Sequence, residues 1–414
     1  MGKPLEGIRV IDLSHVIAGP LASFYLAQLG AEVIKVEAPG GEVLRGQGNV
    51  MDEDTPAGFT ALNAGKASLC IDIRSAEGAR TLRGLARTAD VFIENFKPGV
   101  VARYGFDFES VRVENPSVIY CSISGFGQTG EWSERGAYDH VVQAMTGMMM
   151  LNGDGEAPVK VGFPVIDVAS GVLAAMSIVA SIRRRDREGR GQLIDASMVQ
   201  GSLALMYPLV AAFLSSAKKP QRMGNRGYSG SPAAGTYKCK DGWVALGANT
   251  PPQFRKLTAA LGIADLCESP RALNLEKFNA PNGGFVEAKD LAYVQARFDE
   301  ACARRSAAEL ETELNRVGIP AARVRELGEF LQETGDGSKC TLPQFAFQQD
   351  WGVVRTAGLG FAMRDEAEPT RSGAPALGAD NERLAAEASS ERIHPTPRAD
   401  EARCPFAQLF GDAN

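Results

Sequence analysis

Gly7-Ile-Arg-Val-Ile-Asp-Leu13 and Ala31-Glu-Val-Ile-Lys-Val-Glu37 flank the segment Pro20 to Leu29, and the reading of these three pieces decides the fold. The outer two are short, apolar and rich in β-branched residues, as buried strands are. The middle piece carries Pro in its first turn and Gly30 behind it, the punctuation of a helix. Strand, helix and strand at this spacing make a β-α-β unit, and hence a parallel pair.

The alternation continues downstream. Ala67 to Ile73 reads as a strand, Ser75 caps a helix running to Arg87, and Asp90-Val-Phe-Ile-Glu-Asn95 and Ser117-Val-Ile-Tyr-Cys-Ser-Ile-Ser124 read as further strands. The fold class is therefore α/β, a parallel sheet covered by helices on both faces, with ligands expected at the carboxyl ends of the strands. The loops to watch are His15 to Gly19, Glu37 to Arg45, Arg74, Asn95 to Gly99 and Ser124 onward.

At 414 residues the chain exceeds what one core usually serves, so more than one domain is expected. Ser216 to Pro232, rich in Lys, Arg, Gly and Ser, reads as a linker or mobile loop. It leads into two short strands within Gly235 to Leu246, joined at Lys240-Asp-Gly242, and then into helices over Phe254 to Leu261, Leu291 to Arg305 and Ala307 to Val317, a smaller α+β domain. The expected division is a large domain over 1–222, a small domain over 223–331, and a segment over 332–414 that returns to the large domain and ends in a tail from Ala388. Within that tail Pro405 to Phe410 is apolar enough to dock.

A net charge of −6 argues against a nucleic-acid surface. The N-terminus lacks the apolar core of a signal peptide, and no apolar run reads as long enough to span a bilayer; Gln200 to Ser215 reads as a buried helix. Seven cysteines, scattered and odd in number, read as reduced thiols, so a cytoplasmic location is expected, with no membrane and no metal. Gly125-Phe-Gly-Gln-Thr-Gly130 formally fits a dinucleotide fingerprint, but it runs into the polar loop Glu131 to Arg135 instead of a helix, so a tight turn is the better reading.

The three histidines, His15, His140 and His394, have no partner at zinc-ligand spacing, which leaves carboxylates as candidates. Asp167 sits in the apolar run Lys160 to Met176, just before a helix expected over Val168 to Ile182. It reads either as that helix's cap or as a reactive carboxylate in a pocket. Asp139, at the mouth of an amphipathic helix, offers the same two readings.

Taken together, Leu5 to Leu13, His15-Val-Ile-Ala-Gly-Pro20, Leu29 to Glu37, Ala89 to Gly99, Arg103-Tyr-Gly105, Gly189-Arg-Gly-Gln192, Gly318 to Val324 and Ala374 to Gly378 resemble the family III CoA-transferases. That family includes formyl-CoA transferase and the carnitine CoA-transferases and shares its fold with α-methylacyl-CoA racemase. The resemblance implies a Rossmann-like large domain, a small domain, and two subunits threaded through each other as interlocked rings. It implies coenzyme A thioesters and small carboxylic acids as substrates, with no tightly bound cofactor. By position Asp167 matches the aspartate that becomes an aspartyl-CoA thioester, and Asp139 a second acid beside it. The backbone amides of Ala169, Ser170 and Gly171 are expected to serve a developing oxyanion. The same resemblance places His15 and Ala18 beside the pantetheine end, Ile71, Ile73 and Arg74 near the adenosine, and Asn95, Phe96, Arg103 and Tyr104 along the nucleotide and its phosphates.

Formyl-CoA transferase has glutamine where this chain has Ile17, arginine where it has Ala38, and a run of glycines where it has Asn225 to Ser231. Arg226 or Tyr228 in that last stretch is a candidate partner for a second carboxylate, so short dicarboxylic acids such as succinate, mesaconate or malate are the expected substrates. The alternative is a racemase of the same fold, which uses a histidine beside the first acid. Here Tyr138 holds that position, and His140, two residues on, is expected to turn away on the helix.

Overall fold

The computed structural model describes residues 2–46, 57–281, 283–363 and 371–390. Sequence readings on His394, Cys404 and Pro405 to Phe410 lie outside the described residues. The chain forms two compact units: the described residues within Met1–Met148, Val161–Ser216 and Leu342–Asn414, and those of Met149–Lys160 and Ala217–Thr341.

In the first unit β1 (Arg9–Asp12), α1 (Ala18–Gln28) and β2 (Glu32–Glu37) realise the opening β-α-β unit. Then come α2 (Val43–Gly46), α3 (Ala57–Asn63), β3 (Ala67–Cys70), α4 (Ala76–Ala86), β4 (Val91–Glu94), α5 (Phe108–Glu114) and β5 (Ile119–Ser124). After these follow α6 (Asp139–Met145), α7 (Val165–Glu188), β6 (Gln192–Ser197), α8 (Met198–Leu205) and α9 (Tyr207–Ser216). Six parallel strands stand in the order β3-β2-β1-β4-β5-β6, the doubly wound arrangement. The edge strand β6 was not legible in the sequence, because its residues alternate half-buried with exposed and give no continuous apolar run.

Alternate residues of the central strands face opposite layers. Val10, Val33, Ile93 and Cys121 pack with α1 and α7, whereas Ile11, Ile34, Phe92 and Tyr120 pack with Leu82, Leu85, Phe106 and Leu384. A Cβ on Gly171 of α7 would lie 2.6 Å from the Ala18 carbonyl oxygen, so the small residue lets α7 touch the start of α1. Gly171→Ala is expected to cost about 1–3 kcal/mol, as forced overpacking does, and a denaturant titration that leaves the unfolding midpoint unmoved would contradict this contact.

Two helix expectations need correction. By length and composition alone α7 is apolar enough to cross a bilayer, with a window of mean hydropathy 2.0, contrary to the sequence reading. Its Ala174, Ala175, Ile178 and Ile182 lie in the core beneath the sheet, where a layer helix of an α/β fold belongs. Gln200 to Ser215 is not one buried helix: α8 and α9 meet at a bend of 84°, and α9 buries none of its residues within this chain.

In the second unit β7 (Ala234–Lys238), β8 (Trp243–Gly247) and β9 (Ala321–Arg323) form an antiparallel sheet. With it pack α10 (Pro251–Ala260), α11 (Leu275–Asn279), α12 (Leu291–Ala303) and α13 (Ala307–Arg316), followed in the chain by α14 (Leu327–Thr334). Phe254, Leu257, Phe298, Leu310 and Leu314 centre the core of this unit. Back in the first unit, the hairpin of β10 (Gln344–Gln349) and β11 (Gly352–Ala357) seats Phe345 and Phe347 on Phe24, and α15 (Asn381–Ala388) buries Leu384.

Candidate active site

A doubly wound sheet leaves a crevice where the chain reverses its winding direction, here between β1 and β4. A cavity of about 410 Å³ lies there within the first unit. His15, Val16, Ile17 and Ala18 after β1, Asn95 to Pro98 after β4, Ser124 and Gly125 after β5, and Asp167 of α7 all line it.

Asp167 does not cap its helix. α7 begins at Val165 on the N-cap Pro164, three residues earlier than expected, so Asp167 lies inside the first turn. The capping is done from another helix: the Asp139 carboxylate accepts the backbone N–H groups of Ile166 at 2.6 Å and Asp167 at 3.1 Å. Its other oxygen accepts the Gln143 side-chain amide, and the Gln143 side-chain carbonyl in turn accepts the Val161 N–H. Both oxygens of Asp139 are thereby engaged. Among the described residues the Asp167 carboxylate has no hydrogen-bond partner, and burial, reinforced by the Asp139 charge, pushes its pKa up to about 6. A half-buried carboxylate with no donor on it is costly as structure and available for chemistry.

The expectation that Ala169, Ser170 and Gly171 offer free amides fails for the same reason. With α7 starting at Val165, their N–H groups fall in the hydrogen-bonded body of the helix. At the start of α1, whose N-cap Ile17 makes no side-chain cap, the Ala18 and Gly19 N–H groups have no acceptor among the described residues, and Ile17 and Ala18 line the cavity.

The loop that delivers α1 is tightly held. Asn95 accepts the His15 N–H at 2.9 Å and donates to the His15 carbonyl at 2.8 Å, so its amide serves the backbone while it lines the cavity. The His15 ring packs on Phe96 at 5.2 Å between centroids, and burial lowers its pKa, which favours the neutral imidazole. Below the loop, buried Asp12 pairs with Lys66 at 3.0 Å and accepts the Ser14 N–H. Buried Glu94 accepts the Phe96 N–H at 2.8 Å, and burial raises its pKa to about 7.

Of the residues named from the sequence, Asp167, His15, Ala18, Asn95 and Phe96 meet at the cavity. Asp139 stands behind it. Ile71, Ile73, Arg74, Arg103 and Tyr104 are not among its lining residues; Ile71, Ile73 and Tyr104 pack with Phe96 on one apolar cluster. Arg74 is paired with Asp72 at 2.8 Å, while Arg103 is exposed and has no ion-pair partner among the described residues. Lys97, Ser133 and Arg135 line the cavity without having been singled out, although the loops after β4 and β5 were. Glycine packing explains the 125–130 motif: a Cβ on Gly125 would meet Ala137 at 2.2 Å, and no helix follows. The helical-rotation argument about His140 does not hold, because Tyr138 is the extended N-cap of α6; the two rings stack 6.4 Å apart, and Tyr138 alone of the pair lines the cavity. Arg226 and Tyr228 belong to the second unit, where the Arg226 Nε donates to the Met223 carbonyl at 3.2 Å and Tyr228 is exposed.

The family model for CoA-transferase family III matches residues 5–381, so it spans both units and every residue of this site. The chain belongs to CoA-transferase family III. Among its relatives, this family III CoA-transferase is 41% identical over 276 residues to a succinate–glutarate CoA-transferase of Agrobacterium fabrum, covering 65% of this chain and 69% of that protein. It is 38% identical over 269 residues to a succinyl-CoA:glutarate CoA-transferase of Mus musculus, covering 64% of this chain and 61% of that one. In fold it is similar to a CaiB/BaiF family protein from Brucella suis, with a TM-score of 0.79 and 31% identity over 94% of this chain and 100% of the other.

Proposed function

We propose that this family III CoA-transferase moves coenzyme A between short dicarboxylic acids of the succinate and glutarate type through a thioester on Asp167. The observation that carries the reading is the Asp167 carboxylate, set at the cavity with its pKa raised to about 6 and with no hydrogen bond to quench it among the described residues. A carboxylate oxygen attacks the acyl carbon of the donor thioester. The tetrahedral oxyanion collapses, the C–S bond breaks, and CoA thiolate leaves a mixed anhydride. The thiolate attacks the Asp167 carbonyl of that anhydride, freeing the donor acid and forming the aspartyl-CoA thioester. The acceptor carboxylate repeats the two steps in reverse, and Asp167 is regenerated with no net proton change. The Ala18 and Gly19 N–H groups, without an acceptor among the described residues, are suited to the oxyanions of both halves.

His15 and Ala18 would lie beside the pantetheine end, Ile71, Ile73 and Arg74 near the adenosine, and Asn95, Phe96, Arg103 and Tyr104 along the nucleotide and its phosphates. The apolar cluster shared by Ile71, Ile73, Phe96 and Tyr104 supports one continuous track, and exposed Arg103, without an ion-pair partner among the described residues, suits a phosphate. An interlocked homodimer belongs to the same proposal. Exposed Tyr207, Phe213 and Leu214 on α9, with Val172 and Met176 on α7, form apolar surface of the kind a second subunit covers. A cytoplasmic, reducing location fits the unpaired cysteines among the described residues.

The substrate class is tested with succinyl-CoA as donor. Glutarate is expected to exceed the monoacid pentanoate by roughly 10- to 100-fold in kcat/KM, the range expected when a second carboxylate finds a charged partner. Equal rates for the two acids overturn the dicarboxylate assignment, and no transfer to any acid overturns the transferase reading.

A further inference from the structure

Among the described residues, Val16 and Ala217 are the non-glycine positions with positive φ, and Val16, at φ +68°, lines the cavity. A β-branched side chain is the least suited to this left-handed region, where its Cβ crowds the backbone. The chain must nevertheless reverse there, because β1 ends at Asp12 and α1 starts at Ala18, beside the cavity.

We infer that Glu42 is a positioning residue for the reaction proposed above: its carboxylate latches Val16 in this conformation and so presents the uncapped start of α1 to the reacting carbonyl. The latch is a chain of buried contacts. Glu42 Oε1 accepts the Val16 N–H at 2.9 Å, and Oε2 faces the Lys35 Nζ at 2.5 Å, both side chains being nearly inaccessible. Lys35 also donates to the Ser14 carbonyl at 2.9 Å. Glu42 is itself fixed, since its N–H donates to Glu37 Oε2 at 3.1 Å, and Arg45 grips the same Glu37 carboxylate at 2.7 Å through two nitrogens.

Each residue of the loop thus has its own anchor: Ser14 on Asp12 and Lys35, His15 on Asn95, Val16 on Glu42. Val16 differs from its neighbours in that its own side chain opposes the conformation it holds. Loss of its anchor therefore lets the backbone relax to negative φ and swings Ile17 and Ala18, whereas loss of another anchor loosens a conformation the residue already tolerates. A buried ion pair is weak support for stability, so the Lys35–Glu42 pair is better understood by what it holds than by what it adds to the fold.

The inference rests on the CoA-transfer reading and is tested with the full-length enzyme, succinyl-CoA and glutarate. Glu42→Ala is expected to lower kcat by roughly 10- to 100-fold, the effect of misplacing a donor by about an ångström, while the pH midpoint of activity set by Asp167 stays in place. Adding Val16→Gly to Glu42→Ala is expected to recover at least about tenfold of the loss, because glycine adopts positive φ unaided. A double variant no faster than Glu42→Ala, or Glu42→Ala at the wild-type rate, overturns the latch. A stability measurement separates this outcome from failure of the CoA-transfer reading, and serves also where Glu42→Ala does not fold. Val16→Gly is expected to melt about 2–4 °C above Val16→Ala, the reverse of the usual order for these residues. Val16→Ala melting higher would remove the strain on which the inference depends.

Discussion

Asp167→Ala is expected to lower CoA transfer by at least about 10⁴-fold while leaving a folded protein, since a covalent nucleophile has no substitute in its own pocket. In the wild type, quenching a reaction with succinyl-CoA and digesting the protein should release the Asp167 peptide carrying CoA, or its hydroxylamine product; the variant should show neither. Residual transfer within about tenfold of wild type would assign the chemistry to another group. Stability moves the other way. Burial, and then the Asp139 charge, raise the Asp167 pKa from 3.8 to about 6, so the folded state holds this proton more tightly than the unfolded chain does. Between roughly pH 4 and 6 the protein therefore loses stability as pH rises, and above pH 6 the full penalty is present. Asp167→Asn should accordingly be more stable than wild type by about 2 kcal/mol at pH 7.5, with no gain below pH 4, as read from urea unfolding at both values. For catalysis the same titration predicts kcat/KM for the acyl-CoA rising with pH around a midpoint near 6.

The second large effect is expected at Asp139, the capping carboxylate. Asp139→Ala leaves the N–H groups of Ile166 and Asp167 and the Gln143 amide without their acceptor. Stranding buried donors costs about 1–3 kcal/mol each when no water reaches them. The first turn of α7 should then shift, and kcat should fall by roughly 10²-fold, the effect of misplacing the reacting group by about an ångström. Asp139→Asn separates geometry from charge, because its side-chain oxygen can still accept both backbone N–H groups, which share one oxygen of Asp139, and only the Gln143 amide loses its acceptor. Removing the negative charge relieves the smaller of the two effects that raise Asp167, so the activity midpoint should move part of the way down from about 6 while burial keeps it above the ordinary value. An unchanged midpoint in the Asn variant, measured as kcat/KM against pH, would show that the two acids do not interact.

These expectations rest on a site that was partly legible beforehand. Apolar strand runs such as Arg9 to Asp12 and Val91 to Glu94 announce themselves because both of their faces are buried, and the strand-helix alternation then fixes a parallel sheet with its ligands at one end. That logic pointed to the loops after His15, Asn95 and Ser124, and the cavity lies among them. β6 escaped notice because an edge strand with one exposed face resembles a polar loop in composition. The cap at Asp167 was misplaced because an Asp beside a helical run is the common signature of an N-cap, and nothing local reveals that a residue 28 positions upstream supplies the acceptor instead.

From the sequence alone came the α/β class, the parallel run of the strands and the singular position of one acid in an apolar run. Hydrophobic periodicity and the requirement to pair backbone groups act locally and leave their mark in neighbouring residues. Only the tertiary structure decided what Asp167 is free to do. Its carboxylate has no hydrogen-bond partner among the described residues, and the capping of α7 by Asp139 and the left-handed turn at Val16 arise from residues far apart in the chain brought within about 3 Å. At that distance burial and hydrogen bonding, not residue type, set which carboxylate caps and which reacts.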